Sequence, residues 1–331
     1  MESLIIRSMA RYLQFNPRAM RVNRIHIVLL PLLLLILGAS VVPADSFVAD
    51  FLRMDSDIRS AAMGGSRMTA RGASAIFGNP ARANSDEFGG FAAHEQLYDG
   101  LLISDALGAV IPGRKGDFSL GILYAGGSGI WRTELPNPDL PPGVDNLPEA
   151  VEEESHHDIA LAGGYSRYIN PEVTAGASVG GVYRYLADES AYGGFLSAGV
   201  EWRPLIGLSL GAAADRMGFY SWSTGKSEFG IPELAASAEY SADIGAGFSG
   251  AAVTELRYLP AESEIEGFAG GEVSYPGIFA LRAGSNNGNL AAGAEISLLP
   301  NLAVGASISL HSDLPHSYRI GLTYSRHGAD D

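Results

Sequence analysis

From about residue 88 onward the chain alternates an apolar side chain with Gly, Ser, Thr or a charge. Val173-Thr174-Ala175-Gly176-Ala177-Ser178-Val179 is one such run, and Leu302-Ala303-Val304-Gly305-Ala306-Ser307-Ile308 is another. Successive side chains of an extended strand point to opposite faces, so a period of two gives each segment one greasy face and one small or polar face. No apolar run of membrane-helix length interrupts the pattern here. The periodicity predicts fourteen strands, near 88–96, 101–111, 117–125, 157–168, 172–186, 192–203, 205–215, 232–241, 244–257, 264–275, 277–285, 289–299, 302–311 and 317–326. An even number of strands, most close to the ~9 to 11 residues a tilted strand needs to cross a bilayer, suits a closed transmembrane barrel.

A soluble two-sheet sandwich also uses period two, and two features separate the cases. The face opposite the apolar one carries Gly, Ser and Ala rather than the Lys, Thr and Glu of a solvent face, which fits a narrow, filled lumen. Tyr165, Tyr168, Tyr183, Tyr185, Trp202, Tyr240, Tyr258, Tyr275, Tyr318 and Tyr324 collect near strand ends, as in an aromatic girdle at headgroup level. The connections also read as sorted. A long acidic loop at 126–156, the segment 187–191 and an aromatic loop at 216–231 alternate with tight turns at Asn170-Pro171, Pro204 and Ala242-Asp243. The expected fold is all-β: an antiparallel transmembrane β-barrel of about 14 strands over 88–326, with an N-terminal plug segment over 45–87 inside the lumen.

Residues 1–44 read as a signal peptide. Arg18, Arg21 and Arg24 precede an apolar run over 27–38, and Val42-Pro43-Ala44 supplies a small-residue exit; Met20 is an alternative start. The exported chain would lie in the outer membrane of a Gram-negative-type bacterium and end in a short polar tail, 327–331. Composition removes other classes. The 37 acidic residues against 22 basic ones offer no footprint for nucleic acid, and the absence of cysteine removes disulfides, thiolate metal sites and a cysteine nucleophile.

Residues 46–84 do not alternate. They hold Arg59, Met63, Gly64 and Gly65, then Ala73-Ser74-Ala75, then Asn79, Pro80 and Ala81. This pattern resembles the amino-terminal signature of the PorV/PorQ group of outer-membrane proteins, relatives of the FadL long-chain fatty acid transporters. The final strands, around Leu281-Arg282-Ala283-Gly284 and Tyr318-Arg319-Ile320-Gly321, are similar to that group's tail. The resemblance implies a fourteen-stranded barrel whose lumen holds the amino-terminal segment. Two positions depart from it: Arg71-Gly72 stands where members carry an acidic residue, and Arg82-Ala83 where they carry Gly-Leu.

The motifs that look catalytic are weak. Ser178 and Ser209 sit in GxSxG patterns, but mid-strand, where a nucleophile elbow needs a strand-to-helix turn. Gly245 to Gly250 fits GxGxxG without the helix that motif requires. His156-His157 beside Glu152-Glu153-Glu154 reads as a solvated loop, and His311, Asp313 and His316 form the one cluster worth testing. No catalytic residue, metal or cofactor is expected.

The leading reading is therefore a non-enzymatic barrel, resting in outer-membrane lipid, for passive transport or binding of a small hydrophobic ligand. Phe51, Leu52, Met54, Met68, Ile76 and Phe77 would line an apolar pocket beside the plug. Asp158, Glu201, Asp215, Glu239, Glu255, Glu266, Glu272 and Glu295, with Arg184, Arg282 and Arg319, share the lumen face, where they either bias a pore or close it by ion pairing. A second reading is a secretion-system accessory that docks exported cargo or secretion-system proteins through its external loops, with Phe219, Tyr220, Trp222 and Phe229 as the partner surface. A third is a purely structural barrel.

Overall fold

The computed structural model describes residues 49–325. The expected signal peptide, the alternative start and the polar tail lie outside the described residues. Fifteen strands form one antiparallel sheet: β1 (Gly89–Leu97), β2 (Leu102–Ile111), β3 (Asp117–Glu134), β4 (Glu149–Asn170), β5 (Val173–Leu186), β6 (Glu189–Leu205), β7 (Leu208–Trp222), β8 (Ser227–Gly230), β9 (Glu233–Gly245), β10 (Phe248–Leu259), β11 (Glu264–Tyr275), β12 (Phe279–Asn286), β13 (Asn289–Leu299), β14 (Leu302–Leu310) and β15 (Ser317–Ser325). Each strand pairs with its sequence neighbour. β1 pairs with β15, from Gly89↔Ser325 to Gln96↔Tyr318, and this seam closes the sheet on itself. A two-sheet sandwich is thereby excluded.

The barrel has fourteen staves because β8 and β9 are one stave in two pieces. β7 pairs with β9 over Leu208–Asp215 and with β8 over Gly218–Ser221. Between them Arg216 takes a left-handed φ of 61°, and Pro232, which has no N–H to give the ladder, breaks the facing stave.

Burial follows the predicted alternation. β2 and the lower part of β3 alternate buried and exposed residues, with Ser104, Ala106 and Val110, then Ser119, Leu123 and Ala125, facing in. Their outward neighbours Leu107, Leu120 and Ile122 are exposed, as are Leu161, Val179, Leu256, Leu281, Ile296 and Ile320 around the wall. Exposed rings bound this apolar band. Phe118, Tyr165, Trp202, Tyr240 and Tyr275 lie towards the end where the chain enters and leaves the barrel, and Tyr192, Phe219, Phe229, Tyr258 and Tyr318 towards the other. Such a surface is stable against hydrocarbon with headgroups above and below.

Two expectations about the connections are corrected. The segment 126–156 is no long loop: β3 runs on to Glu134 and β4 starts at Glu149, so only 135–148 is loop and His156-His157 lie within β4. The asymmetry between the two ends resides in strand length more than loop length, and 187–188 is a tight turn. Likewise 216–231 is mostly strand, with 223–226 and Ile231 outside it. Tyr220 is fully buried and Trp222 half-buried against the core, while Phe219 and Phe229 stand exposed on the outer wall.

Candidate functional site

The segment ahead of β1 forms short turns of helix packed inside the barrel. Residues 50–53, 67–69 and 80–82 are single 3₁₀ turns, 72–77 is a 3₁₀ helix of two turns, and α1 (Ile58–Ala62) is a brief α-helix. Asp57 caps α1 by accepting from the Ser60 N–H at 2.9 Å, and Asn79 caps the last turn by accepting from the Ala81 N–H at 3.1 Å. After Met63 the chain turns through Gly64, whose φ of +84° suits glycine. A side chain at Gly64 would also run into the backbone of Ser285.

The small residues of the lumen face now have a cause. A Cβ on Gly270 would stand 2.6 Å from the Met63 Cβ, one on Gly293 2.6 Å from the Ala62 Cβ, and one on Gly121 2.7 Å from the Phe77 ring. Gly176 lies equally close under Pro80, and Gly199 under Asn79. Asn79 completes its bonding by donating Nδ2 to the Val200 carbonyl at 3.1 Å. Of the expected plug motif, Met63, Gly64, Asn79 and Pro80 meet the wall at these close approaches, alongside Ala62 and Phe77, which lie outside the motif.

The plug is held differently on its two sides. Towards β1–β7 the contact is mainly apolar, the ion pair of Arg82 with Glu201 on β6 aside: Phe51, Leu52, Ile76 and Phe77 cluster with Phe91, Val110, Leu123, Val182, Phe195 and Tyr220, with Met54 and Trp222 packed against them. Met68 sits apart, between Ala213 and Ala235. These residues were expected to line a ligand pocket; all but Met54 are buried, and they fill the space with each other. Hollows of about 610 Å³ and 580 Å³ lie instead on the outer face around β1, against Leu107 and Leu322, and include none of them.

Towards β7–β13 the contact is ionic. Arg67, buried, reaches Asp215 at 2.9 Å and Glu233 at 2.6 Å while donating to the carbonyls of Leu52 at 3.0 Å and Phe77 at 3.3 Å. Arg59 bridges Glu239 at 2.7 Å and Glu272 at 3.1 Å. Glu239 also takes Arg71 at 3.0 Å and Arg82, so two plug arginines converge on one buried carboxylate. Glu233 is the hub, receiving Arg53 at 2.8 Å, Arg67 and Arg216. Burial alone would push the Arg67 guanidinium down, but Asp215 and Glu233 carry it above the ordinary arginine value. In the plug, burial pushes the Asp55 carboxyl above the usual carboxylate range against the pull of Arg319, Arg257 and Arg67.

The expected lumen charges all appear in this network or in wall pairs. Glu201 meets Arg82 at 3.3 Å and Arg203 at 2.6 Å; Glu255 meets Arg257 at 2.7 Å and accepts the Met68 N–H; Glu266 meets Arg257 at 3.2 Å; Arg282 joins Glu272 at 2.6 Å to Glu295 at 3.4 Å. Asp158 and Arg184 form a two-pronged pair at 2.6 and 2.8 Å, and Arg319 pairs with Glu95 across the closing seam. The wall's carboxylates outnumber its arginines, and plug arginines 53, 59, 67, 71 and 82 redress the difference. Glu95, Glu233, Arg216, Arg257 and the plug arginines other than Arg59 were missed. Only the acidic excess of the lumen face hinted that cations must come from elsewhere in the chain.

The catalytic-looking motifs disperse. Ser178 is buried mid-strand and donates to the Ile76 carbonyl at 3.4 Å, and Ser209 donates to Glu201 at 2.6 Å. His311 meets Ser317 at 3.1 Å while Asp313 accepts from Ser312, so His311 and Asp313 each engage a serine rather than one another.

No family model matches the chain, and no curated protein matches it. Solved structures do. A CymD monoaromatic hydrocarbon channel aligns with a TM-score of 0.56 at 12% identity, covering 82% of this chain and 97% of its own. The P. putida toluene transporter TodX gives 0.54 at 15%, covering 83% and 100%, and the Ralstonia pickettii toluene transporter TbuX 0.53 at 14%, covering 82% and 98%. The chain has their barrel fold. At these identities the likeness extends to architecture, and the plug contacts described above are this chain's own.

Proposed function

We propose that the protein is a non-enzymatic outer-membrane barrel of the FadL type, exported by a cleaved signal peptide, that passes or holds a small hydrophobic ligand. Within that class the resemblance of its plug motif supports a place in the PorV/PorQ group. The observation that carries the reading is the two-sidedness of the plug. On the β7–β13 side it is locked by buried ion pairs, whereas on the β1–β7 side Phe51, Leu52, Ile76 and Phe77 meet the wall through apolar contact. Apolar contacts are non-directional and re-form around an apolar guest, while stripping a buried arginine from its carboxylates costs several kcal/mol. A small hydrophobic molecule would therefore enter between the plug and β1–β7 with the ionic side still fastened. Support comes from the neighbours' descriptions as channels for toluene and monoaromatic hydrocarbons.

The test uses Trp222, which packs against this cluster. With Trp131 and Trp202 replaced by Phe, bromobenzene, a heavy-atom quencher, should quench Trp222 saturably in proteoliposomes. Linear quenching, equal to that of a free tryptophan in the same lipid, would remove the ligand reading.

A further inference from the structure

Above the rim, β3 and β4 continue as a two-stranded ribbon. β2 follows β3 only to Ile103↔Gly126, and β5 follows β4 only to Leu186↔His156. Beyond those points Ile130–Glu134 pair with Glu149–Glu154, and no other described strand joins them. Both outer edges carry open backbone groups. A bare two-stranded ribbon is marginal in water, and open edges are what folded proteins ordinarily cover.

This ribbon is nonetheless built. Asn146 is buried at its tip, donating Nδ2 to the carbonyls of Asn137 and Leu140, each at 2.9 Å, and accepting the Asn137 N–H at 3.0 Å. Prolines 136, 138, 141, 142 and 148 stiffen the same loop. The side chains it holds out include Ile130, Trp131 and Val151, all exposed. Along the β4 edge stand Glu149, Glu152, Glu153 and Glu154, and Asp188 and Glu189 lie at its foot, where β5 gives way to β6. Arg132 alone answers them from the ribbon, reaching Glu152 at 2.7 Å and Glu154 at 3.6 Å.

We propose that the free edge of β4, residues 149–155, is a docking site that accepts an extended basic polypeptide segment as an added strand above the end of β5. The backbone supplies the ladder, and the carboxylates choose the guest. A row of like charge on an edge rejects neutral and acidic strands, including a second copy of this acidic chain, and admits one whose alternate residues are Lys or Arg. Trp131, cross-strand from Glu153, offers its ring to an aliphatic stem or cation on the same face. Seven residues give a site about 24 Å long, enough for one short strand. The proposal does not depend on ligand passage through the lumen.

The test uses the full chain in lipid nanodiscs and a fluorescent peptide of alternating Lys and Val, read by anisotropy. Two control peptides accompany it: one of alternating Glu and Val, and the Lys-Val peptide N-methylated along its backbone. Saturable binding of the Lys-Val peptide alone is expected, weakened about tenfold in the triple variant Glu152→Gln, Glu153→Gln, Glu154→Gln. Equal binding of the N-methylated peptide would show charge attraction without strand addition and overturn the proposal. So would unchanged affinity in the triple variant, or no binding at all. A retained gel-shift on boiling certifies that the variant's barrel is intact.

Discussion

Replacing Arg67 with methionine tests whether the ionic side holds the plug. The guanidinium meets two wall carboxylates and two plug carbonyls at once, so the substitution cuts the plug's tie to β7 and β9 and its own internal brace. Removing one partner of a buried pair costs about 3–5 kcal/mol. The lower end applies here, because Asp215 keeps Arg216 and Ser197, and Glu233 keeps Arg53 and Arg216. About 3 kcal/mol is roughly a 150-fold rise in the population of undocked plug. The chain has no cysteine, so Ala70→Cys, buried in the plug beside this cluster, gives a unique reporter. In folded protein its labelling by a water-soluble maleimide should accelerate on the order of 100-fold with Arg67→Met, and less with Arg67→Lys, while the barrel still migrates as folded until boiled. Equal labelling rates in the two backgrounds would refute the clamp, and loss of the folded barrel would show that plug and wall are not separable.

The glycine cradle predicts that Gly270→Val, which thrusts a side chain at Met63, raises Ala70→Cys labelling by overpacking worth about 1–3 kcal/mol, whereas Ala252→Val, on the exposed outer face of β10, leaves it unchanged. Asn79→Ala loses the bonds to Val200 and Ala81 and should cost about 1–2 kcal/mol in urea unfolding of the docked plug. Because burial raises the Asp55 carboxyl, the native state holds that proton more tightly than the unfolded chain does. Its contribution to docking is then fully present below the ordinary carboxylate range and is lost as pH rises from that range through the raised value; Asp55→Asn should remove this component of the dependence of labelling on pH. On the outer band, Leu161→Arg places a charge against hydrocarbon and should lower folding yield into vesicles by up to about 2–4 kcal/mol, an effect Val151→Arg on the ribbon should not share.

The barrel was legible because a filled lumen and a lipid face impose the same period of two on every stave, so the apolar side chains of the run from Leu302 to Ile308 could be placed on one face without knowing their neighbours. Tyr220 was misplaced for a physical reason. The stretch 216–231 reads as an aromatic loop, but β7 runs through to Trp222, and the left-handed residue at Arg216 shifts the alternation by one, turning Tyr220 inward and Phe219 outward. The β3–β4 ribbon was read as loop because it has no buried face to create a pattern and its tip is rich in proline. The lumen charges were visible one at a time, yet their pairing was not: Arg67 and Glu233 lie 166 residues apart, and only the closed sheet brings them together.

The central claim is that the apolar face of the period-two segments looks into hydrocarbon while the small and polar face looks onto the plug. Single nitroxides placed successively from Leu290 to Leu299 along β13, in vesicles, measure it directly. Collision rates with oxygen, which concentrates in lipid, should peak at Leu290, Ala292, Ala294, Ile296 and Leu298 and dip between them, with the opposite phase for a water-soluble nickel complex. In-phase profiles, or nickel access at Ile296, would place that face in water and contradict the account.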